Sequence, residues 1–421
     1  MKYQLIPQEI SGAVAVPPSK SMAHRSLLAA GLATGTSRIS NLTFSQDMEA
    51  TLGALPLLGA RVKRGGDYVV ITGNNGKFPP VKQVVDCIES GSTLRFLLPL
   101  FTHSGSAVTF TGRGRLMARP QEVYAKLFQE KGLSFLQKGE EITVSGQFSG
   151  GTYSLDGSVS SQFITGLLFT LPLLEEDSII EILPPFESRS YVLLTLQTLS
   201  DFGVHCQWTG ENTLHISGKQ SFQPKDYVVE GDCSQAAFWA VLGGITGRIS
   251  LSGIRPDTLQ GDRVIFDLLE KAAVKSKEDH GTYIYEKSEL VGTEIDLADC
   301  PDLGPILMVL GLFAKGETKI YNAGRLRVKE SDRIAAMESE IRKMGGKIRV
   351  EGDTIYLTQS PLSPSDDLIS HNDHRIVMAM AVAAVGAGLT VSIDGAEAVE
   401  KSYPDFFAVL ASCGVKVIPK I

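Results

Sequence analysis

The sequence predicts an α/β protein of two pseudo-threefold domains, and three observations carry that prediction. Turns near Gly35, Gly105, Glu176, Gly247, Gly316 and Gly388 each close an apolar stretch, at intervals of 69 to 72 residues. Before each turn stands the same plan: a polar loop, an apolar run rich in Ala, Leu and Gly, then a short β-like run. Between these segments, an amphipathic run ends in Gly and leads into two short alternating stretches. Recurrence at a fixed period marks a repeated supersecondary unit. Each unit reads βαββα, six times over. A unit of this size cannot bury its apolar faces alone, whereas three packed together can.

Taken in order, the first segment, "PSKSMAHRSLLAAGLATGTSRISN", places Lys20, Ser21 and Arg25 at the start of a helix of small and apolar residues. The second is "ESGSTLRFLLPLFTHSGSAVTFTG". The third, "SSQFITGLLFTLPLLEEDSIIEI", opens on Ser160, Ser161 and Gln162, which by themselves read as N-capping. The fourth is "DCSQAAFWAVLGGITGRISLSG". The fifth, "PDLGPILMVLGLFAKGETKIYN", opens on Asp302, which in isolation also reads as a helix cap. The sixth is "NDHRIVMAMAVAAVGAGLTVSIDG". These helices are apolar nearly all round and belong in a domain interior.

The intervening helices are one-sided. In "DRIAAMESEIRKMGGKIRVEGDTIYLT", Ile334, Met337, Ile341 and Met344 share a helical face, and Gly345 and Gly346 stop the helix. "KIRVEGDTIYLT" then alternates across a Gly-Asp turn, a hairpin signal. The polar loops thus fall at the N-termini of buried helices, where free N–H groups and the helix dipole favour anions.

Composition bounds the function. With 421 residues, 43% hydrophobic and 21% charged, the chain supports two or three domains with large cores. A net charge of −7 argues against a nucleic-acid partner, but not against a small anion held by clustered cations. The five cysteines form no C-x-x-C, so no disulfide framework or zinc knuckle is expected, and a reducing cytoplasm is the expected compartment. "MKYQLIPQEI" carries no apolar signal core, and the run Ile376 to Gly388 is too short to span a bilayer. No phosphate-loop or dinucleotide fingerprint follows a strand. His371 and His374 are spaced i, i+3 but have no third ligand, so no metal and no cofactor are expected.

The loops together carry more than any one of them. "PSKSMAHR", "SGSTLRFL", "GRGRLMARP", "SVSSQF", "SRSY", "PDLGPILMVLGLFAKG", "RLRVKESDR", "NDHRIVMAMA" and "KSYPDFF" stand in an order and spacing that span nearly the whole chain. In these pieces the chain resembles the enolpyruvyl transferases, in the branch acting on shikimate 3-phosphate. The resemblance implies an inside-out α/β barrel in each of two domains, built of three βαβαββ-type repeats. It implies an N-terminal domain of 13–227 and a C-terminal domain of 1–12 with 228–421. The implied reaction moves the enolpyruvyl group of phosphoenolpyruvate to the 5-hydroxyl of shikimate 3-phosphate and releases phosphate. A monomer with two small-molecule substrates, no nucleic acid and no membrane partner is expected.

The same resemblance implies roles. Lys20, Ser21, Arg25, Ser160, Ser161, Gln162, Ser188, Tyr191, Asp302 and Lys329 would bind shikimate 3-phosphate. Lys20, Gly91, Arg119, Gln162, Arg333, Arg375 and Lys401 would bind phosphoenolpyruvate. Arginine suits planar, bidentate capture of carboxylate and phosphate. Asp302 would take the 5-hydroxyl proton, Glu330 is a candidate for proton transfer at C3, and Lys20 and Lys401 are further candidate donors. Three departures stand out. Glu89 occupies a position where many members have Asn, His24 one where the first loop often carries Asn, and Arg325-Leu326 replaces an Asn-Trp pair seen in some members. The rival branch uses UDP-N-acetylglucosamine, with Lys-Asn in the first loop and a Cys in a mobile loop. Here Lys20-Ser21 and a Cys-free "GRGRLMARP" oppose it. A second rival, a binding module that merely kept the fold, is opposed by the full set of cations and carboxylates.

Overall fold

The computed structural model describes residues 1–420. The chain divides into an N-terminal unit, Pro18–Val229, and a C-terminal unit, Met1–Pro17 with Glu230–Ile421. These boundaries lie slightly beyond the expected crossings at 13 and 227. The strand Gly12–Ala15 pairs in parallel with Ile249–Ser252, which ties residues 12–15 to the C-terminal unit. Tyr227–Val228 pairs with Ile39–Ser40, and the Val229 N–H donates to the Ser40 carbonyl, which holds 227–229 in the N-terminal unit.

Twelve α-helices are found among the described residues. In the N-terminal unit they are α1 (Lys20–Leu32), α2 (Gln46–Ala54), α3 (Gly91–Leu100), α4 (Glu122–Glu130), α5 (Ser161–Thr170) and α6 (Arg189–Asp201). The C-terminal unit holds α7 (Cys233–Ile245), α8 (Ile265–Lys271), α9 (Gly304–Phe313), α10 (Arg333–Lys343), α11 (His374–Gly386) and α12 (Phe406–Ser412).

Each unit has three four-stranded sheets of one design, a parallel edge pair followed by an antiparallel hairpin. The second repeat shows the plan: Val85–Asp86, α3, Val108–Thr111, α4, Ser134–Lys138, Glu141–Ser145. This is βαβαββ, one strand more than the βαββα read from the residues. The missed element is the edge strand. Val85–Asp86 and Leu368–Ile369 have two residues each, too short to show a period of two. Three repeats are completed from a distance: Tyr227–Val228 supplies the edge of the first sheet, Gly12–Ala15 the edge of the fourth, and Lys2–Pro7 pairs with both Val391–Asp394 and Val415–Lys420.

The expected inner helices are buried along nearly their whole length, and in α7 every residue is buried. Each unit has its own apolar core. Full burial of one Leu or Phe side chain stabilises by about 1.5–3 kcal/mol, so these helices dominate the energetics of their units. Close approach matters as much as area. A Cβ on Gly166 of α5 would lie 2.4 Å from the Arg95 carbonyl of α3. The Tyr124 hydroxyl of α4 is 2.8 Å from both that carbonyl and the Phe163 carbonyl, joining the three helices. The outer helix α10 buries Ile334, Met337 and Ile341 as its period requires, and Lys347–Glu351 and Thr354–Thr358 form the expected hairpin around Gly352-Asp353.

Candidate active site

The inner helices of the N-terminal unit start on neutral caps. Ser19, Ser90 and Ser160 accept from the backbone N–H groups of Met22, Thr93 and Gln162. In the C-terminal unit, Asp232 and Asp373 cap α7 and α11 instead. Serine satisfies the first-turn donors without adding negative charge, which leaves the helix dipole available to an anion.

Around α1 the cations have unlike partners. Lys20 Nζ lies 2.8 Å from Asp47 Oδ2 of α2. Arg25 is buried, and among the described residues its guanidinium bonds only to neutral acceptors. Nε donates to Thr195 Oγ1 at 2.9 Å, Nη1 to the Ser21 carbonyl at 2.8 Å, and Nη2 to the Tyr191 carbonyl at 3.1 Å and Thr165 Oγ1 at 3.4 Å. Its Cζ also lies 5.2 Å from the centre of the Phe96 ring. Burial lowers the Arg25 pKa to about 10, which still leaves it charged at neutral pH. Ser188, fully buried, adopts a left-handed φ of 54° just before α6.

A second group gathers at the starts of α3 and α5. A Cβ on Gly91 would stand 2.7 Å from Arg119 Nη1, so the helix start approaches that guanidinium closely because residue 91 is glycine. Arg95 Nη1 donates to Gln162 Oε1 at 2.9 Å and its Nη2 to the Pro120 carbonyl at 2.7 Å. One buried arginine therefore fixes the amide orientation of Gln162 and grips the carbonyl next to Arg119. Gln162 Nε2 then faces Ser92 Oγ at 3.0 Å.

In the C-terminal unit the charges interlock. Asp302 does not cap a helix, contrary to its reading in isolation: α9 starts without a side-chain cap. Its carboxylate meets Lys329 Nζ at 3.2 Å, Arg333 Nη1 at 2.9 Å and Arg375 Nη2 at 3.4 Å. Arg333 also meets Glu330 at 2.7 Å and Asp373 at 2.8 Å. Burial alone would lower the Arg333 pKa, but Asp373, Glu330 and Asp302 outweigh it and hold the value above the usual range. Burial lowers Lys329 to about 8 despite Asp302, with Arg325 and Arg333 adding to the drop. Lys401 Nζ donates to the Asn372 carbonyl at 2.6 Å, beside Asp373 and Arg375. His371 pairs with Glu340 at 2.8 Å, and no metal-binding group occurs among the described residues.

The geometry thus joins Lys20, Ser21, Arg25 and Tyr191 around α1, and Gly91, Arg119, Ser160, Ser161 and Gln162 around α3 and α5. Asp302, Lys329, Glu330, Arg333, Arg375 and Lys401 gather in the other unit. Sequence reasoning missed Asp47, Arg95, Asp262 and Asp373. Asp373 was visible as a cap signal in "NDHR", and it does bond the Arg375 N–H at 2.9 Å. Asp262 is buried, and desolvation followed by the charge of Asp302 raises its carboxyl to about 7; no local signal announced it. The Lys20–Asp47 and Lys329–Asp302 pairs have the same sequence separation of 27, with the charges reversed.

A sequence profile described as EPSP synthase (3-phosphoshikimate 1-carboxyvinyltransferase) matches residues 5–410. A 3-phosphoshikimate 1-carboxyvinyltransferase of Clostridium kluyveri is 40% identical over 420 residues, covering 99% of this chain and 98% of that protein. One from Clostridium novyi is 41% identical over 415 residues, covering 96% and 95%. Among solved structures, an EPSP synthase from Acinetobacter baumannii aligns with a TM-score of 0.81 at 24% identity, over 99% of this chain and 100% of that one. The enolpyruvyl transferase NikO from Streptomyces tendae reaches 0.81 at 17% identity, over 99% and 98%, which speaks for the fold alone. The relatives' shared activity is carboxyvinyl transfer from phosphoenolpyruvate to shikimate 3-phosphate, and nothing favours a UDP-sugar acceptor. Repeats, helix-start cations and full-length kinship converge: the chain belongs to the EPSP synthase family, the 3-phosphoshikimate 1-carboxyvinyltransferases (EC 2.5.1.19).

Proposed function

We propose that the two charged clusters divide the substrates of this reaction. The N-terminal unit provides most contacts to shikimate 3-phosphate: Lys20, Ser21, Arg25, Ser160, Ser161, Gln162, Ser188 and Tyr191. The C-terminal unit adds Lys329 and Asp302 to that substrate. It also provides Arg333, Arg375 and Lys401 for phosphoenolpyruvate, joined by Lys20, Gly91, Arg119 and Gln162 of the N-terminal unit. One observation carries the reading most: Arg25 is a buried cation whose hydrogen bonds, among the described residues, go to neutral acceptors. An uncompensated buried charge is costly, and an anionic substrate offsets that cost.

The chemistry follows. Protonation at C3 of phosphoenolpyruvate makes C2 electrophilic. The 5-hydroxyl oxygen of shikimate 3-phosphate attacks C2 as Asp302 accepts its proton. Loss of a proton from C3 and departure of phosphate restore the double bond. Glu330 serves C3, and Lys20, with Lys401 as the alternative, donates to the departing phosphate. The protein works in this reading as a cytoplasmic monomer without cofactor or nucleic acid. Its five cysteines are unpaired, and no helix among the described residues is long and apolar enough to cross a membrane.

The test is a pair of variants. Arg25→Ala chiefly raises KM for shikimate 3-phosphate, and Arg375→Ala chiefly raises it for phosphoenolpyruvate. Each loses about 1.5–3 kcal/mol, the worth of a charge-assisted hydrogen bond. Steady-state constants for both substrates decide it; an unchanged phosphoenolpyruvate dependence in Arg375→Ala overturns the assignment.

Lys329 gives a pH signature. Its folded pKa, about 8, lies below the ordinary 10.5. Its charge is therefore lost as pH rises through about 8, and KM for shikimate 3-phosphate climbs over that range. Stability moves the other way: between the folded and unfolded values the unfolded chain binds more protons, so the contribution of this group rises with pH. Lys329→Gln removes the alkaline rise in KM. Persistence of that rise in the variant rules out Lys329 as its source.

A further inference from the structure

We propose that His24 is a positioning residue for the start of α3, acting through a buried chain of hydroxyl groups. This role rests on the reading of Gly91 as a phosphoenolpyruvate contact. His24 Nδ1 lies 2.7 Å from Thr51 Oγ1 of α2, and Thr51 Oγ1 lies 2.7 Å from Thr93 Oγ1 of α3. Thr93 Oγ1 donates to Ser90 Oγ at 2.8 Å, and the Thr93 N–H donates to the same oxygen at 3.1 Å. Ser90 caps α3 and immediately precedes Gly91. All four side chains are buried.

The chain has one direction. The Thr93 hydroxyl proton is used on Ser90, so Thr93 must accept from Thr51. Thr51 has then spent its own proton and must accept from His24. His24 therefore carries a proton on Nδ1; its Nε2 is buried with no hydrogen-bond partner among the described residues, which disfavours a second N–H there and leaves the ring neutral with Nε2 bare. Burial, followed by the charges of Lys20 and Arg25, pushes its pKa well below the ordinary 6.5, which agrees with that form. The consequence is mechanical. α1, which carries Lys20 and Arg25, is tied through α2 to the capping serine of α3, and the rotamer of that serine sets where Gly91 stands against Arg119. A histidine that merely filled core volume would need none of these bonds. Asn is short and polar, and its amide offers an N–H near the position of Nδ1.

Three measurements test this. Long-range 1H–15N NMR on the 15N-histidine-labelled protein, with His24→Asn identifying the signal among the seven histidines, should show a neutral ring protonated on Nδ1. A proton on Nε2, or a cationic ring at neutral pH, overturns the proposal. In steady-state kinetics, His24→Leu raises KM for phosphoenolpyruvate roughly three- to tenfold, as expected for one lost buried hydrogen bond. KM for shikimate 3-phosphate stays within about twofold, and His24→Asn recovers most of the loss. Thr51→Val gives the same phenotype, and the double variant is no worse than either single one, as for two members of one network. Thr51→Val also carries the test if His24→Leu fails to fold. Equal effects on both substrates, additive effects, or no recovery with Asn each overturn it. Gly91→Ala separates the two layers, because it presses on Arg119 directly. If it raises KM for phosphoenolpyruvate and His24→Leu does not, this inference alone falls. If neither variant moves that KM, the reading of Gly91 falls, and the role of His24 falls with it.

Discussion

Asp302→Asn lowers the turnover number by roughly 10²–10⁴, the usual range for loss of a general base, while the protein stays folded. Asn keeps the size of the side chain but cannot take the 5-hydroxyl proton. The structure removes the main competing explanation, because Asp302 caps no helix. It raises another: Asp302 is also a counter-ion for Lys329, Arg333 and Arg375. The two roles predict different patterns. A counter-ion alone would show as a lowered melting temperature and weakened substrate binding with turnover nearly kept. A base shows as lost turnover with shikimate 3-phosphate still bound, since Arg25 and the serines are untouched. Melting temperature, turnover and both KM values of the purified variant separate them. Near-normal turnover returns Asp302 to ion pairing and moves the search for the base to Glu330.

Arg333→Met costs about 3–5 kcal/mol of stability, the range for breaking a buried ion pair from one side. Arg333 is 1% exposed and Asp373 is fully buried. Removing the guanidinium strands Asp373 and takes from Glu330 and Asp302 ion-pair contacts of 2.7 Å and 2.9 Å. The loss falls on the C-terminal unit, so denaturant unfolding is best followed with probes in that unit; a chain of two units need not unfold in one step. The double variant Arg333→Met with Asp373→Asn recovers part of the loss, because the stranded charge is gone. A decrease below about 1 kcal/mol, with only KM for phosphoenolpyruvate raised, would make Arg333 a ligand contact rather than the hub of the cluster.

The inner helices were legible because they are apolar on every side and evenly spaced, and the α10 hairpin because its periods of 3.6 and 2 are both complete. Two-residue edge strands carry no such period, and one of them, Tyr227–Val228, stands where the chain leaves the N-terminal unit. Site residues on helix starts were legible as a set of cations. Their pairing was not. Asp302 meets Lys329 across 27 residues, Arg333 across 31 and, through its carbonyl, Arg375 across 73. No local pattern distinguishes that environment from a cap. His24 stood in the sequence only as a residue beside Arg25 in the first loop. Its partners Thr51, Thr93 and Ser90 are ordinary helix residues until the fold brings them together.

Phosphate release reports the transfer reaction itself. The purified protein is given phosphoenolpyruvate with shikimate 3-phosphate, with UDP-N-acetylglucosamine, or alone. Free phosphate is followed continuously, and the acceptor is weighed by mass spectrometry. Phosphate is expected only in the presence of shikimate 3-phosphate, one per acceptor that gains a carboxyvinyl group. Release driven by the UDP-sugar, or no release with shikimate 3-phosphate in a folded protein, would contradict that reaction.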